Sequence, residues 1–284
     1  LGDVYKRQTQ LALSLFYNYD SANWVVNADD AAGAKLIESG MRSKSINVSA
    51  YSRQQAGRVG YVGYQVTGSG VLVVDMVDAE SKHIAVEVNA QIDGKYNMEN
   101  LLCAMLICHV SGYAIEEIGE LAAGITSVPG RMQCVKNKSG VKVCVDYAHT
   151  PAGMDVVMRD DVLMNDQVSR TWCVFGCGGD RDKSKRAAMG AAASLADRIV
   201  VTDDNVRGDL AEAIICDILQ GLRHKNGLIV CRDRRKAVNC VLSAAKNKDL
   251  VLLLGKGDEA SIAYGEHRVM HRDIDVVLEH AGYS

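Results

Sequence analysis

The 284-residue chain holds only 2 prolines, Pro129 and Pro151, and a net charge of only -3. So small a charge excludes a general pull toward nucleic acid or an anionic membrane, and confines any anion site to a local patch. No apolar run approaches the roughly 18 residues of a membrane helix, and no signal peptide is read. The 9 cysteines form no C-x-x-C pair, so buried reduced thiols are expected rather than disulfides or zinc ligands. No dinucleotide fingerprint is present, because G-x-G-x-x-G from Gly176 would need glycine at position 181, which is Arg181. No G-K-[ST] phosphate loop occurs either. What remains, at 48% hydrophobic and 24% charged residues, is the composition of a globular protein of a reducing cytoplasm.

Residues 1–8 read like a translated sequencing-library adapter and are set aside; the natural sequence is expected to begin near Thr9. Residues 9–17 look like the tail of a helix. Short strands are read at 24–27 and 45–48, with a helix over 34–39 between them. Residues 57–88 alternate in the manner of antiparallel strands, with turns at 68–70 and 78–80. Helices follow at about 96–111 and 115–124, the first from the recurrence of Leu101, Leu102, Met105 and Val110. From Val141 onward short apolar strands (141–145, 171–175, 198–201, 228–230, 250–254) alternate with helices (187–196, 209–222, 234–245). That alternation predicts a doubly wound, mostly parallel sheet. Asp209 and Glu212 have the spacing of a capping box.

Ligands of such sheets bind beyond the carboxyl ends of the strands. Four polar loops fall there: Asp146-Tyr147-Ala148-His149, Gly176 to Arg186, Asp203-Asp204-Asn205-Val206-Arg207, and Gly255-Lys256-Gly257-Asp258-Glu259. In the second loop, three glycines allow close backbone approach. Four cations then crowd the start of a helix, where the macrodipole disfavours each by about 0.3–1 kcal/mol. An anionic ligand, or acidic neighbours, would explain them. Arg181 and Arg207 offer guanidinium groups, Asn205 a carboxamide, and Asp258 and Glu259 carboxylates. Arg pairs bidentately with carboxylate and Glu accepts from ammonium, so the set complements an amino acid. His149 follows a strand end, Arg131 follows Pro129-Gly130 as a hinge arginine would, and Asn97 and Asn100 suit capping of a helix start.

This ordered set, together with Pro129-Gly130-Arg131-Met132 and Asp146 through Pro151, resembles the Mur ligases, and within them the enzymes that add the third residue of the peptidoglycan peptide. The resemblance runs from about Thr9 to near the C-terminus. It implies the later part of a central P-loop-type ATPase domain over 9–128 and a C-terminal Rossmann-like, amino-acid-binding domain over 129–284. The activity implied is ATP-dependent amide formation on UDP-MurNAc-L-Ala-D-Glu through an acyl phosphate, with meso-diaminopimelate preferred over L-lysine as the incoming amino acid. Asn97, Arg131, Asp146 and His149 match positions near ATP, with Arg131, Asp146 and His149 in the catalytic group. Arg181, Asn205, Arg207, Gly255 and Glu259 match positions that hold the amino acid. ATP and magnesium are the implied cofactors, with no metal ligands expected in this stretch, and a monomer without nucleic-acid or membrane partners is expected. The P-loop is absent from the sequence, so the chain alone is expected to be inactive.

Three departures from the family pattern stand out. Val206 replaces the usual Pro and is expected to loosen its loop, Asp258 replaces His, and Ala152 replaces Asp. Competing readings are another ligase of the superfamily, such as a folylpolyglutamate or cyanophycin synthetase, and a non-catalytic amino-acid- or nucleotide-binding half-protein. A nicotinamide-dependent oxidoreductase is a poor fourth.

Overall fold

The computed structural model describes residues 23–40, 47–52, 61–67, 71–77, 83–160, 163–164, 167–225 and 227–280. The adapter-like start, the helix tail at 9–17 and the turns at 68–70 and 78–80 lie outside them. The chain divides into two compact units: residues 1–91 with 95–126, and residues 92–94 with 127–284.

In the first unit, β1 (Asn23–Asn27), β2 (Asn47–Ser52), β3 (Tyr61–Val66), β4 (Leu72–Val77) and β5 (His83–Val88) form one sheet in that order. β1, β2 and β3 run parallel, and β3, β4 and β5 antiparallel, as the alternating stretch predicted. α1 (Ala31–Gly40), α2 (Lys95–Val110) and α3 (Ile115–Ala122) belong to this unit. Met98, Leu101, Leu102, Met105 and Leu106 make the buried stripe of α2 at helical spacing. The helix begins at Lys95, so Asn97 lies inside it, buried, and Asn100 lies further along it, exposed; neither is at the N-cap position.

The second unit carries a six-stranded sheet. Its elements are β6 (Gln133–Lys136), β7 (Lys142–Asp146), α4 (Pro151–Met158), β8 (Arg170–Phe175), α5 (Lys185–Ala193), β9 (Arg198–Val201), α6 (Ala211–Gln220), β10 (Ile229–Val230), α7 (Arg234–Ala244) and β11 (Asp249–Leu254). A hairpin, β12 (Ser261–Tyr264) and β13 (His267–Met270), and α8 (Asp273–Glu279) follow. The strand order is β10-β9-β8-β11-β7-β6, parallel except for the antiparallel edge strand β6. All six residues of β11 are buried, as expected of a central strand covered on both faces. Val143, Val145, Trp172, Val174, Val251 and Leu253 pack with Val238, Val241 and Val277 of α7 and α8. The alternate residues of the same strands point to the opposite face.

A buried ion-paired cluster binds this unit together. Arg234 is buried and grips Asp273 with two bonds, Nε to Oδ1 at 2.9 Å and Nη2 to Oδ2 at 2.7 Å. Its Nη2 also donates to the Leu254 carbonyl, and His271 Nε2 lies 2.7 Å from Asp273 Oδ1. Burial alone would raise the Asp273 pKa, but the Arg234 charge overrides it and holds the carboxyl well below the usual range. The first turns of α7 and α8 and the end of β11 are thereby joined.

The structure corrects two readings. Cys134 on β6 and Cys144 on β7 stand directly opposite, with Cα atoms 4.0 Å apart, and form a disulfide. The pairing depends on strand register, which C-x-x-C spacing does not report. Cys108, Cys216 and Cys240 are exposed rather than buried. The Asp209–Glu212 capping box does not form: α6 starts at Ala211 and its N-cap residue, Leu210, makes no side-chain cap.

Candidate functional site

The carboxyl ends of β7, β8, β9 and β11 open onto one crevice. The loops after β8 and β9 press together there. Gly179 N donates to the Asn205 carbonyl at 2.8 Å, and a Cβ on Gly179 would stand 1.8 Å from the Val206 oxygen, so only glycine fits. Val206 is itself buried, and the loop is held by these contacts without a proline. On the adjoining strand end, Gly255 takes φ +101° and its N–H donates to the main-chain oxygen of Asp146.

Acidic neighbours take up much of the cation run. Arg186 is buried and bridges Asp209 at 2.6 Å and Asp217 at 2.9 Å; Lys183 reaches Asp209 at 3.2 Å. The hydrogen bond from Arg186, then that from Lys183, holds the Asp209 carboxyl at about 2. Lys185 donates to the His149 carbonyl at 2.8 Å, and the exposed Arg181 donates to the Asp180 carbonyl. Arg186 is thus a structural bolt, whereas Arg181 and Lys185 line a cavity.

That cavity, of about 300 Å³, is lined by Tyr147 and His149 after β7, and by Gly176, Cys177, Gly178, Arg181, Lys185 and Met189 after β8. Asp204, Asn205 and Arg207 line it from the β9 loop, and Gly255 and Glu259 from the β11 loop. Arg181, Asn205, Arg207, Gly255, Glu259 and His149, all singled out from sequence, therefore converge. Asn205 Nδ2 donates to Glu259 Oε2 at 2.8 Å, and its Oδ1 accepts from Ala263 N at 2.9 Å. Arg207, at φ 52°, donates from Nη1 to the Gly179 and Asn205 carbonyls. Its Nε and Nη2 make no hydrogen bond among the described residues. Burial pushes the Cys177 thiol up to about 12, so it is no nucleophile at neutral pH. Asp258 does not line the cavity with Glu259; it pairs with Arg272 at 2.6 Å.

At the rim, Asp146 is buried and its carboxylate accepts from Met132 N and Ala148 N, each at 2.8 Å. It organises the turns that present Arg131 and His149. The Arg131 guanidinium lies 4.9 Å from the Tyr147 ring centroid, and the His149 ring meets the same ring edge-on at 4.6 Å. His149 Nδ1 sits 2.8 Å from the Tyr147 carbonyl, which fixes the ring's orientation. Asn97 belongs to the first unit. Lys185, Lys256, Asp204 and Tyr147 were not singled out from sequence as site residues, although each stands inside a quoted run. Among the described residues, no group of three or more His, Cys, Asp or Glu side chains is placed to hold a metal ion.

Residues 130–257 match the family model described as Mur ligase, glutamate ligase domain. The chain is 34% identical over 249 residues to a UDP-N-acetylmuramoyl-L-alanyl-D-glutamate–2,6-diaminopimelate ligase of Janthinobacterium sp. (strain Marseille), covering 83% of this chain and 47% of that protein. It is 34% identical over 250 residues to the ligase of the same name from Xylella fastidiosa (strain 9a5c), covering 86% and 49%. A solved structure of a ligase of that name superposes with a TM-score of 0.56 at 30% identity, over 90% of this chain and 52% of the other. The chain spans about half the length of the curated relatives it matches. These matches and the cavity beyond the strand ends agree, and residues 130–257 of the chain are a glutamate ligase domain of the Mur ligase family.

Proposed function

We propose that this chain is part of an ATP-dependent ligase that adds the third amino acid, meso-diaminopimelate in preference to L-lysine, to UDP-MurNAc-L-Ala-D-Glu in peptidoglycan synthesis. Residues 9–128 are then the later part of the central ATPase domain, and 129–284 the amino-acid-binding domain. The observation that carries the reading is the charge layout of the cavity. Three cations (Arg181, Lys185, Arg207) and two carboxylates (Asp204, Glu259) line it. Each ligand carboxylate has a guanidinium to meet it, and each ammonium a carboxylate. The cationic excess favours a ligand with two carboxylates over L-lysine, which has one. Arg207 Nε and Nη2 are available for the distal carboxylate, and Glu259 for an ammonium.

ATP, when bound, supplies the phosphoryl group that turns the dipeptide carboxylate into an acyl phosphate. Of the residues matched to it, Arg131 and His149 fit, being exposed groups held on the Tyr147 ring. Asp146, both of whose oxygens accept backbone N–H bonds, fits the role of holding that loop in place. Asn97 is proposed as a further nucleotide contact on family match alone. The 284 residues contain no G-K-[ST] loop, so the purified chain is expected to release no ADP in the presence of magnesium.

Calorimetry on the chain tests the amino-acid reading. Meso-diaminopimelate should bind more tightly than L-lysine. Arg207→Ala should weaken the diacid about tenfold or more, as loss of a charged hydrogen-bond partner does, with little effect on L-lysine. Equal binding of the two amino acids, or no effect of the substitution, would reject the reading.

A further inference from the structure

A charged residue, Lys256, lies beneath the cavity lining. Lys256 follows the buried strand β11 and is itself 0% exposed. A buried ammonium is costly unless its charge and all three donors are satisfied. Here they are: Nζ donates to Glu259 Oε2 at 2.6 Å, to the Ser261 carbonyl at 2.7 Å and to Asp204 Oδ1 at 3.4 Å. Lys256 therefore has no donor left for a ligand. Its two carboxylate partners, however, are the two that line the cavity.

We infer that Lys256 is a specificity-determining positioning residue: its buried ammonium neutralises the Asp204–Glu259 pair and pins Glu259, and so biases the cavity toward a diacid amino acid and against one of net positive charge. The inference rests on the amino-acid reading of the cavity. The pinning follows from connectivity. Glu259 Oε2 is shared by Lys256 and Asn205, which leaves Oε1 without a hydrogen bond among the described residues and on offer to a ligand ammonium. The bias follows from charge. Lys256 balances one of the two carboxylates from behind, so the three lining cations outweigh what remains. Without it, the only buried counter-charge that the two carboxylates would still feel among the described residues is that of Arg234, which is itself paired to Asp273. L-Lysine, which carries one more net positive charge than meso-diaminopimelate, would then gain relative to the diacid.

The test compares the wild-type chain with Lys256→Met and with Lys256→Gln, which keeps hydrogen-bonding capacity without charge and serves if the methionine variant does not fold. The ratio of dissociation constants for L-lysine and meso-diaminopimelate should move toward L-lysine by about tenfold in either variant. Equal weakening of both amino acids would mean that Lys256 is merely structural, and would overturn the inference. A second measurement needs no ligand. The Asn205 side-chain amide protons, bonded to Glu259, should exchange slowly with solvent in the wild type and faster in the variants, followed by nuclear magnetic resonance. Unchanged exchange would also overturn it. Failure of the wild type to bind either amino acid would reject the proposed function, while the Asn205 signal would still decide whether Lys256 pins Glu259.

Discussion

Asp209 illustrates what a single residue decides here. Two cations from the preceding loop and helix converge on it, and the Arg186 hydrogen bond holds its carboxyl at about 2. An unfolded Asp titrates near 3.9, so the folded value is depressed. Its stabilisation is then fully present above about pH 4–5 and is lost as the pH falls toward about 2. Asp209→Asn should lower the melting temperature at pH 7, and the gap to wild type should close between about pH 5 and 2. A gap that persists at pH 2 would show that the ion pair is not what Asp209 contributes. The sequence suggested helix capping for this residue because its local spacing fits a capping box. Its partners lie 23 and 26 positions earlier, where local spacing carries no signal. The same reason hid Lys256, whose significance is its burial. The Gly-rich and Asp-Asp-Asn loops were readable because their composition is abnormal for a turn.

Elements were readable wherever apolar runs were long enough to declare themselves. The parallel strands of the second unit were placed to within about a residue, since strands buried on both faces read as near-continuous apolar runs. β6 was missed because Gln133–Lys136 is a short, half-polar edge strand. α4 was missed because Pro151 looks like a loop residue, whereas it occupies the first helical turn behind the Thr150 cap, where its missing N–H costs nothing. With β6 went the Cys134–Cys144 disulfide. It closes a separation of 10 residues, for which the chain-entropy relation gives about 2–3 kcal/mol. Dithiothreitol should therefore lower the melting temperature of the wild type, and Cys134→Ser should abolish that sensitivity. A reductant-insensitive wild type would mean that the bond does not stabilise the fold. The Arg234–Asp273 pair joins α7 to α8 within the interior. Removing one partner of a buried pair costs about 3–5 kcal/mol, so Asp273→Asn should lower the urea midpoint sharply, and an unchanged midpoint would show that the pair is dispensable.

The whole molecule has two compact units and, conveniently, 2 tryptophans, one buried in each: Trp24 in the first and Trp172 in the second. The second unit has a central strand buried along its full length and, packed against its sheet, a continuous valine-rich core. Larger units of separate core need not unfold in one step. A Trp24→Phe variant reports fluorescence from the second unit alone, and Trp172→Phe from the first alone. In denaturant, the Trp172 signal should change at the higher midpoint, because its unit holds the buried Arg234–Asp273 ion pair and the disulfide. The indole of Trp172 also donates to Asp249 at 2.9 Å, tying the probe itself to the first residue of β11. Coincident midpoints from the two variants would mean that the units unfold as one cooperative body. In that case a substitution in the cavity of the second unit would be expected to destabilise the first unit as much as its own.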